Sequence, residues 1–358
     1  MTSSIDAVLL WVDGSDPAHR ARLARAMREA GRSPSGRDVA TAPTRFAQQG
    51  EIYVAVASLL RFAPFVRRIH IVTDAQRPPL IDAFTEAGLC TPDRIRIVDH
   101  REIFAGFEEA LPTFNSRSIE TMCWRIEGLA PTYLYLNDDF FLAAPTTPSD
   151  MFDPAGRLRL QGRWLSSLPE RLRLAARPLR RLAGQKVPRP NYRAFQARAA
   201  ALARYRRRYL RVDHHPHPIR RQTLADWLGA RPDLLRAQIA PRFRDAAQFH
   251  AISLANHLDL AAGRAVVTGP ADFAYLAPGR EDVQDALQRV ARGEVASGCV
   301  QSLDVMPDAV AAEVTTTLAA AMGEHLPAMI RRAMGWPAAP PHPPAPGLTP
   351  PRGRGSRN

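Results

Sequence analysis

Four short, mostly apolar runs, each leading into polar residues and separated by helix-type sequence, constrain this chain most. Residues 5–12, Ile-Asp-Ala-Val-Leu-Leu-Trp-Val, run into Asp13-Gly14-Ser15-Asp16-Pro17. Ile69 to Val72 runs into Thr73-Asp74, Ile95 to Val98 into Asp99, and Tyr133 to Leu136 into Asn137-Asp138-Asp139. Runs of this length and character read as buried strands. Between them, residues 18–30, 51–62, 79–88 and 116–126 carry helical spacing, and Pro64 closes the second of these. The alternation predicts an α/β fold with a mainly parallel sheet. Such sheets bind ligands outside the carboxyl ends of their strands. Asp13, Asp74, Asp99 and the pair Asp138-Asp139 all fall at such ends, so one pocket can collect several of them.

The rest of the chain divides by composition. Residues 163–212 are rich in arginine with Glu170 as an isolated acid, and Pro188 and Pro190 split them into two basic helical pieces. We expect residues 1–162 to form an α/β core, 163–212 an Arg-rich helical insert, 213–335 a mostly helical second part of the core, and 336–358 a Pro- and Arg-rich disordered tail.

Charge narrows the partners. The formal net charge of the 358 residues is +13, which favours anionic ligands such as phosphorylated substrates, nucleic acid or acidic lipid. Cys90, Cys123 and Cys299 are scattered and odd in number, which argues against a disulfide framework or a zinc site. No run approaches the ~20 apolar residues of a membrane span, and residues 1–7 lack a secretory pattern. The expectation is a cytoplasmic protein, with peripheral contact at the inner membrane face open through the Arg-rich segment.

Several residues can carry chemistry. Adjacent carboxylates after a buried strand suit Mg²⁺ or Mn²⁺ on a diphosphate, although Asn137-Asp138-Asp139 also reads as a turn. In His214-His215-Pro216-His217-Pro218, an extended backbone would direct His215 and His217 to one side and His214 to the other. The histidines read either as base and ligand or as surface residues. Arg45, Arg61, Arg67, Arg125, Arg220, Arg221, Arg242 and Arg244 are candidate phosphate clamps, each also readable as a solvated surface residue. Gly14 lies where backbone amides can approach a nucleotide, and Asp16 and Pro17 suit the start of the following helix.

Taken together, these strings resemble the Stealth family of sugar-phosphotransferases. The matching strings are residues 5–17; Gly50 through Gln76, continuing to Asp139; His214 to Pro218 with Arg242-Phe243-Arg244-Asp245 and Gln248-Phe249; and, more weakly, Cys299 to Asp304. The resemblance implies a nucleotide-sugar transferase fold and transfer of a hexose or N-acetylhexosamine 1-phosphate from a nucleotide-sugar, UDP-linked by expectation, to a sugar hydroxyl in capsule or exopolysaccharide synthesis. It implies Mg²⁺ or Mn²⁺ as cofactor, with Asp138, Asp139 and Asp304 as ligands. It casts Asp139, His214 and Arg242 as catalytic, and Asp13, Gly14, Arg67, Asp74, Asn137 and His217 as substrate-binding. One departure stands out. Relatives have Cys, an apolar residue, then Asn-Asp in the last string, whereas this chain has Cys299-Val300-Gln301-Ser302-Leu303-Asp304. Its acidic ligand is either shifted to Asp304, supplied elsewhere or lost. Two alternatives remain: a metal-dependent glycosyltransferase that releases the nucleoside diphosphate, and a basic protein that binds nucleic acid or another polyanion.

Overall fold

A computed structural model describes residues 4–31, 49–182, 184 and 191–339. Twelve strands run β1 (Ile5–Leu10), β2 (Val66–Thr73), β3 (Ile95–Asp99), β4 (Thr132–Asn137), β5 (Phe140–Leu142), β6 (Leu158–Gln161), β7 (Arg163–Ser166), β8 (Arg208–Arg211), β9 (His217–Arg220), β10 (Ala265–Gly269), β11 (Phe273–Leu276) and β12 (Ser297–Val300). The main sheet has the order β3-β2-β1-β4-β9, with the first four strands parallel and β9 antiparallel to β4. The α/β class and the parallel sheet are as expected.

The continuous apolar runs have a direct cause. Strand side chains alternate between faces. Ala7 and Leu9 of β1 pack into one core beneath the helix Glu51–Phe62, while Val8 and Leu10 pack into a second core with Ile119, Met122 and Ile252. Both faces are covered, so every position of β1 is buried. Each large aliphatic side chain buried this way contributes roughly 1.5–3 kcal/mol.

Register levels the strand ends. Leu10 pairs with Val72 on one side and with Asn137 on the other, and Thr73 pairs with Asp99. The chain segments after β1, β2 and β4 therefore leave the sheet along one edge.

Asp6 breaks the apolar run, and its carboxylate is fully buried. It accepts hydrogen bonds from Arg67 Nε (2.9 Å) and Nη2 (2.8 Å), and from the backbone N–H groups of Ala130 and Arg68, and it shares one of 3.0 Å with His70 Nε2. These bonds tie β1 to the start of β2 and the turn before β4, at the end of the sheet away from that edge.

A second, smaller sheet has the order β11-β12-β5, with β12 antiparallel to β5 and parallel to β11. It hangs the last motif of the chain beside Asp139. Gly298 faces the Phe141 ring so closely that an added Cβ would lie 2.3 Å from it.

Within residues 163–212, strands and a helix pack onto the rest of the chain. β7 and β8 close into a hairpin, and the helix Tyr192–Leu202 is buried against the helix Ala251–Ala261. Its Ala197, Ala199 and Ala200 supply core contacts that an all-surface basic segment would lack. Arg45 and the tail from residue 340 onward lie outside the described residues. Among the described residues, no helix is long and apolar enough to cross a membrane.

Candidate active site

The carboxyl edge of the main sheet opens into a cavity of about 530 Å³. Leu10, Val72 and Tyr135 of the strands line it together with residues from stretches of chain far apart in sequence.

One wall is acidic. Asn137, Asp138 and Asp139 leave β4, Glu51 begins the helix Glu51–Phe62, and Asp304 sits in the short 3₁₀ turn Leu303–Val305; all five line the cavity. Glu51 is fixed there by Gly50, which caps the helix at φ 93° under the side chains of Met334 and Trp336. Asp304 is brought round by Ser302, whose φ of 54° turns the chain after β12. Asp139 is held by β12: its carbonyl accepts from Val300 N–H at 2.8 Å, and its Oδ2 accepts from Cys299 Sγ at 3.4 Å. Its Oδ1 is buried without a hydrogen-bond partner.

These carboxylates disfavour one another's charge. Burial pushes Asp138 well above the ordinary carboxylate range, and the Asp139 and Glu51 charges push it further. Asp139 is raised by burial and by Glu51, against a lowering contribution from Cys299. Glu51 is raised by burial first and then by Asp304, and burial also raises Asp304. Burial and mutual repulsion favour the protonated form of these carboxylates, and a bound cation would favour the charged form. The donor set is all hard oxygen, which suits Mg²⁺ or Mn²⁺. Among the described residues, no three His, Cys, Asp or Glu side chains form a ready-made metal cage.

A second set of lining residues is basic and aromatic: Arg117 from the helix Ser116–Met122, Arg244, His214, His217, His250 and Tyr192, with the Glu120 carboxylate among them, 3.9 Å from His250 Nε2. The Arg117 guanidinium lies 3.5 Å from the centroid of the Phe195 ring. Burial and then Arg244 lower Arg117 to about 10. Arg244 donates from Nη2 to Ser116 Oγ at 2.8 Å, its Nε is buried without a partner, and burial lowers its pKa too. Buried Arg117 and half-buried Arg244 together offer guanidinium donors suited to an anion. His214 is stacked on Tyr192, with ring centroids 5.2 Å apart, and lies 5.5 Å from the Tyr275 ring. Burial lowers its pKa, so the ring is neutral at pH 7 and able to accept a proton. Burial and the neighbouring Arg117 lower His250 to about 3.

The structure sorts the expected site residues. Asn137, Asp138, Asp139, His214, His217 and Asp304 meet in the cavity. His214 and His217 share it because the chain bends at 214–215, where His215 N–H bonds back to the Asp213 carbonyl at 3.2 Å. The expected extended backbone is absent there, and His215 packs behind, 4.3 Å from the His217 ring.

Asp13 and Gly14 stand at the rim, just past the lining residues Trp11 and Val12. Asp13 holds the turn through bonds to Ser15, while Gln76 clasps its backbone at 2.9 Å from both sides. Asp74 sits behind the lining residue His19 and binds His19 Nδ1 (3.0 Å) and Arg22 (2.8 Å). Burial works to raise Asp74, but the bonds from His19 and Arg22 outweigh it and hold the group at about 2.

Arg67 and Arg242, like Asp74, do not line the cavity. Arg67 is spent on buried Asp6 at the far end of the sheet, because it starts β2 rather than ending it. Arg242 turns outward to Glu29 Oε2 at 2.7 Å, while its carbonyl accepts from Phe114 N–H. Arg244, two residues on, enters the cavity instead. Glu51, Arg117, Tyr192 and His250 also line the cavity and are not among the residues that the sequence singles out. The start of a helix within the matched Gly50 string was a signal for Glu51.

Comparison with known proteins follows this geometry. Residues 3–31 match Stealth conserved region 1 and residues 45–160 match Stealth conserved region 2. The chain carries both of these Stealth regions. It is 34% identical over 291 residues to an exopolysaccharide phosphotransferase of Streptomyces coelicolor, covering 81% of this chain and 49% of that protein. It is 35% identical over 155 residues to a capsular polysaccharide phosphotransferase of Actinobacillus pleuropneumoniae, covering 43% of this chain and 40% of that one. The chain thus spans about half the length of these relatives, or less. A crystal structure of an active-site mutant of LgtC aligns with 82% of this chain and 86% of its own length, at 15% identity and a TM-score of 0.38. Within the cavity, the two Stealth regions supply Trp11 and Val12, Glu51, Arg117 and the Asn137-Asp138-Asp139 edge, while His214, Arg244 and Asp304 come from beyond the matched residues.

Proposed function

We propose that this chain transfers a hexose or N-acetylhexosamine 1-phosphate from a nucleotide-sugar to a sugar hydroxyl in capsule or exopolysaccharide synthesis, releasing the nucleoside monophosphate. The observation that carries this reading is one cavity that brings Glu51, Asp138, Asp139 and Asp304 together with Arg117, Arg244 and a His214 ring whose pKa burial lowers. A diphosphate with its cation fits a site that offers both carboxylates and guanidinium groups. Relatives named polysaccharide phosphotransferases support the transfer of a phosphate-bearing group.

In this reading Asp138 and Asp139 would hold Mg²⁺ or Mn²⁺, with Asp304 and Glu51 nearby. When bound, the ion would neutralise charge on the diphosphate. Arg244 and Arg117 bind the oxygens of the transferred phosphoryl group and stabilise the charge that spreads over them. His214 takes the proton of the acceptor hydroxyl as its oxygen attacks the phosphorus next to the sugar. The P–O bond between the two phosphates breaks, the nucleoside monophosphate leaves, and a sugar phosphodiester forms. Asp13 and Gly14, at the rim beyond Trp11, are assigned to the nucleotide side, and Asn137 and His217 to the sugar.

The test is incubation with a panel of nucleotide-sugars and Mg²⁺ or Mn²⁺, followed by mass analysis of the released nucleotide. Nucleoside monophosphate is the expected product. Nucleoside diphosphate would overturn the reading in favour of a metal-dependent glycosyltransferase.

A further inference from the structure

The helix Leu168–Leu182 turns its apolar face outward. Leu168, Leu172, Leu179 and Leu182 are 57, 60, 69 and 85% exposed. With Ala175, also exposed, they recur at i, i+4, i+7, i+11 and i+14, which places them on one side of a helix about 22 Å long. Water gains nothing from contact with four leucines, and such stripes mark docking surfaces.

The surroundings are basic. Arg171 and Arg173 of the helix are exposed, and the exposed Arg206, Arg207 and Arg208 lie beside it. The adjacency is fixed by bonds: Arg171 Nη1 donates to the Arg206 carbonyl, and Ser167 N–H to the Arg207 carbonyl. The β7–β8 hairpin carries Arg208 opposite Ser166. The acid at the helix start, Glu170, is buried and bonded to Arg173, so it adds no negative charge to this surface.

We infer that this helix and the Arg206–Arg208 turn form a docking surface for an anionic phospholipid bilayer. Leucines along one side of a helix and arginines beside them match the two layers of such an interface, with acyl chains below and phosphate headgroups above. A soluble polyanion would use the arginines and leave the leucines in water. The helix packs on the helix Tyr192–Leu202, whose Tyr192 lines the cavity. Docking here would hold the cavity close to the membrane surface. The inference does not depend on the reaction proposed above.

The experiment is flotation of the full chain with vesicles of phosphatidylglycerol mixed with phosphatidylcholine, and with vesicles of phosphatidylcholine alone. Wild type, Leu172→Ser/Leu179→Ser and Arg206→Glu/Arg207→Glu are compared, with dextran sulfate binding and gel filtration run in parallel. The wild type is expected to float with the mixed vesicles only, and each variant to lose roughly tenfold or more in affinity while its cavity activity is kept. Absence of flotation, or flotation of the leucine variant equal to wild type, would overturn the inference. So would binding to dextran sulfate without vesicle binding, which assigns the surface to a soluble polymer. A dimer that the leucine variant dissolves, with no flotation, would assign the stripe to a second copy of the chain.

Discussion

Cys299 Sγ lies 3.4 Å from Asp139 Oδ2 and donates to it across 160 positions of sequence. The contact joins the last motif of the chain to the carboxylate edge of the main sheet, and the pairing of Cys299 with Phe140 sets its geometry. The same segment carries Asp304 into the cavity through the turn at Ser302.

That joint should be sensitive to crowding. In Gly298→Ala the new methyl would meet the buried Phe141 ring, forcing β12 away from β5. A loss of about 1–3 kcal/mol in urea unfolding is expected, with a fall in turnover from displacement of Asp139. Unchanged stability and unchanged turnover would show that the strand pair does not hold the site.

The acidic wall should respond to cations. Mg²⁺ or Mn²⁺ at saturating concentration is expected to raise the melting temperature by a few degrees, since a ligand at a hundred times its Kd adds about 2.7 kcal/mol. Asp139→Asn should melt higher than wild type without cation, because a mutually repelling buried charge is gone, and should lose most of the cation response. Thermal shift with and without the ion measures both.

The two neighbouring arginines should separate cleanly. Arg244→Ala is expected to lower kcat/KM by roughly 10²–10³-fold, the range for loss of a donor to a developing anion. Arg242→Ala, which loses an exposed pair with Glu29, should stay within a few-fold of wild type. Steady-state kinetics with one donor decides, and the reverse ranking would return the clamp to Arg242.

His214 gives a pH signature. Burial lowers its pKa, so the base form persists below the usual histidine midpoint. The acid limb of kcat/KM should fall at a pH below about 6.5, and His214→Ala should lose roughly 10²–10⁴-fold at every pH. A pH–rate profile of both proteins checks this.

At the far end of the sheet the effects should be structural. Arg67 is 43% exposed, so Arg67→Ala is expected to cost only about 1–2 kcal/mol while leaving KM and kcat near wild type. Asp6 and Asp74 both have depressed pKa values when folded. Their stabilisation is full above the unfolded carboxylate value of about 4 and is lost as pH falls toward 2. Urea unfolding at neutral and acid pH measures the loss.

The strand ends were legible because β1 is buried on both faces and so reads as an unbroken apolar run. The carboxylates at 138 and 139 follow from that alone. Arg67 was misread because a sequence string shows adjacency to a strand but not which end of the sheet it occupies. Arg242 and Arg244 differ only in which way an irregular segment turns, which Glu29 and Phe114 decide from elsewhere in the chain. Tyr192 was hidden in a stretch whose arginines suggested surface, although the alanines between them build a buried helix. β5, β11 and β12 are too short to show a period, and they exist through mutual pairing.

The most direct measurement uses a nucleotide-sugar donor labelled with radioactive phosphorus at the phosphate next to the sugar, followed into the separated products. The label should appear in the saccharide product, joined as a phosphodiester, with unlabelled nucleoside monophosphate released. Label found in a nucleoside diphosphate, with an unlabelled saccharide, would contradict the account.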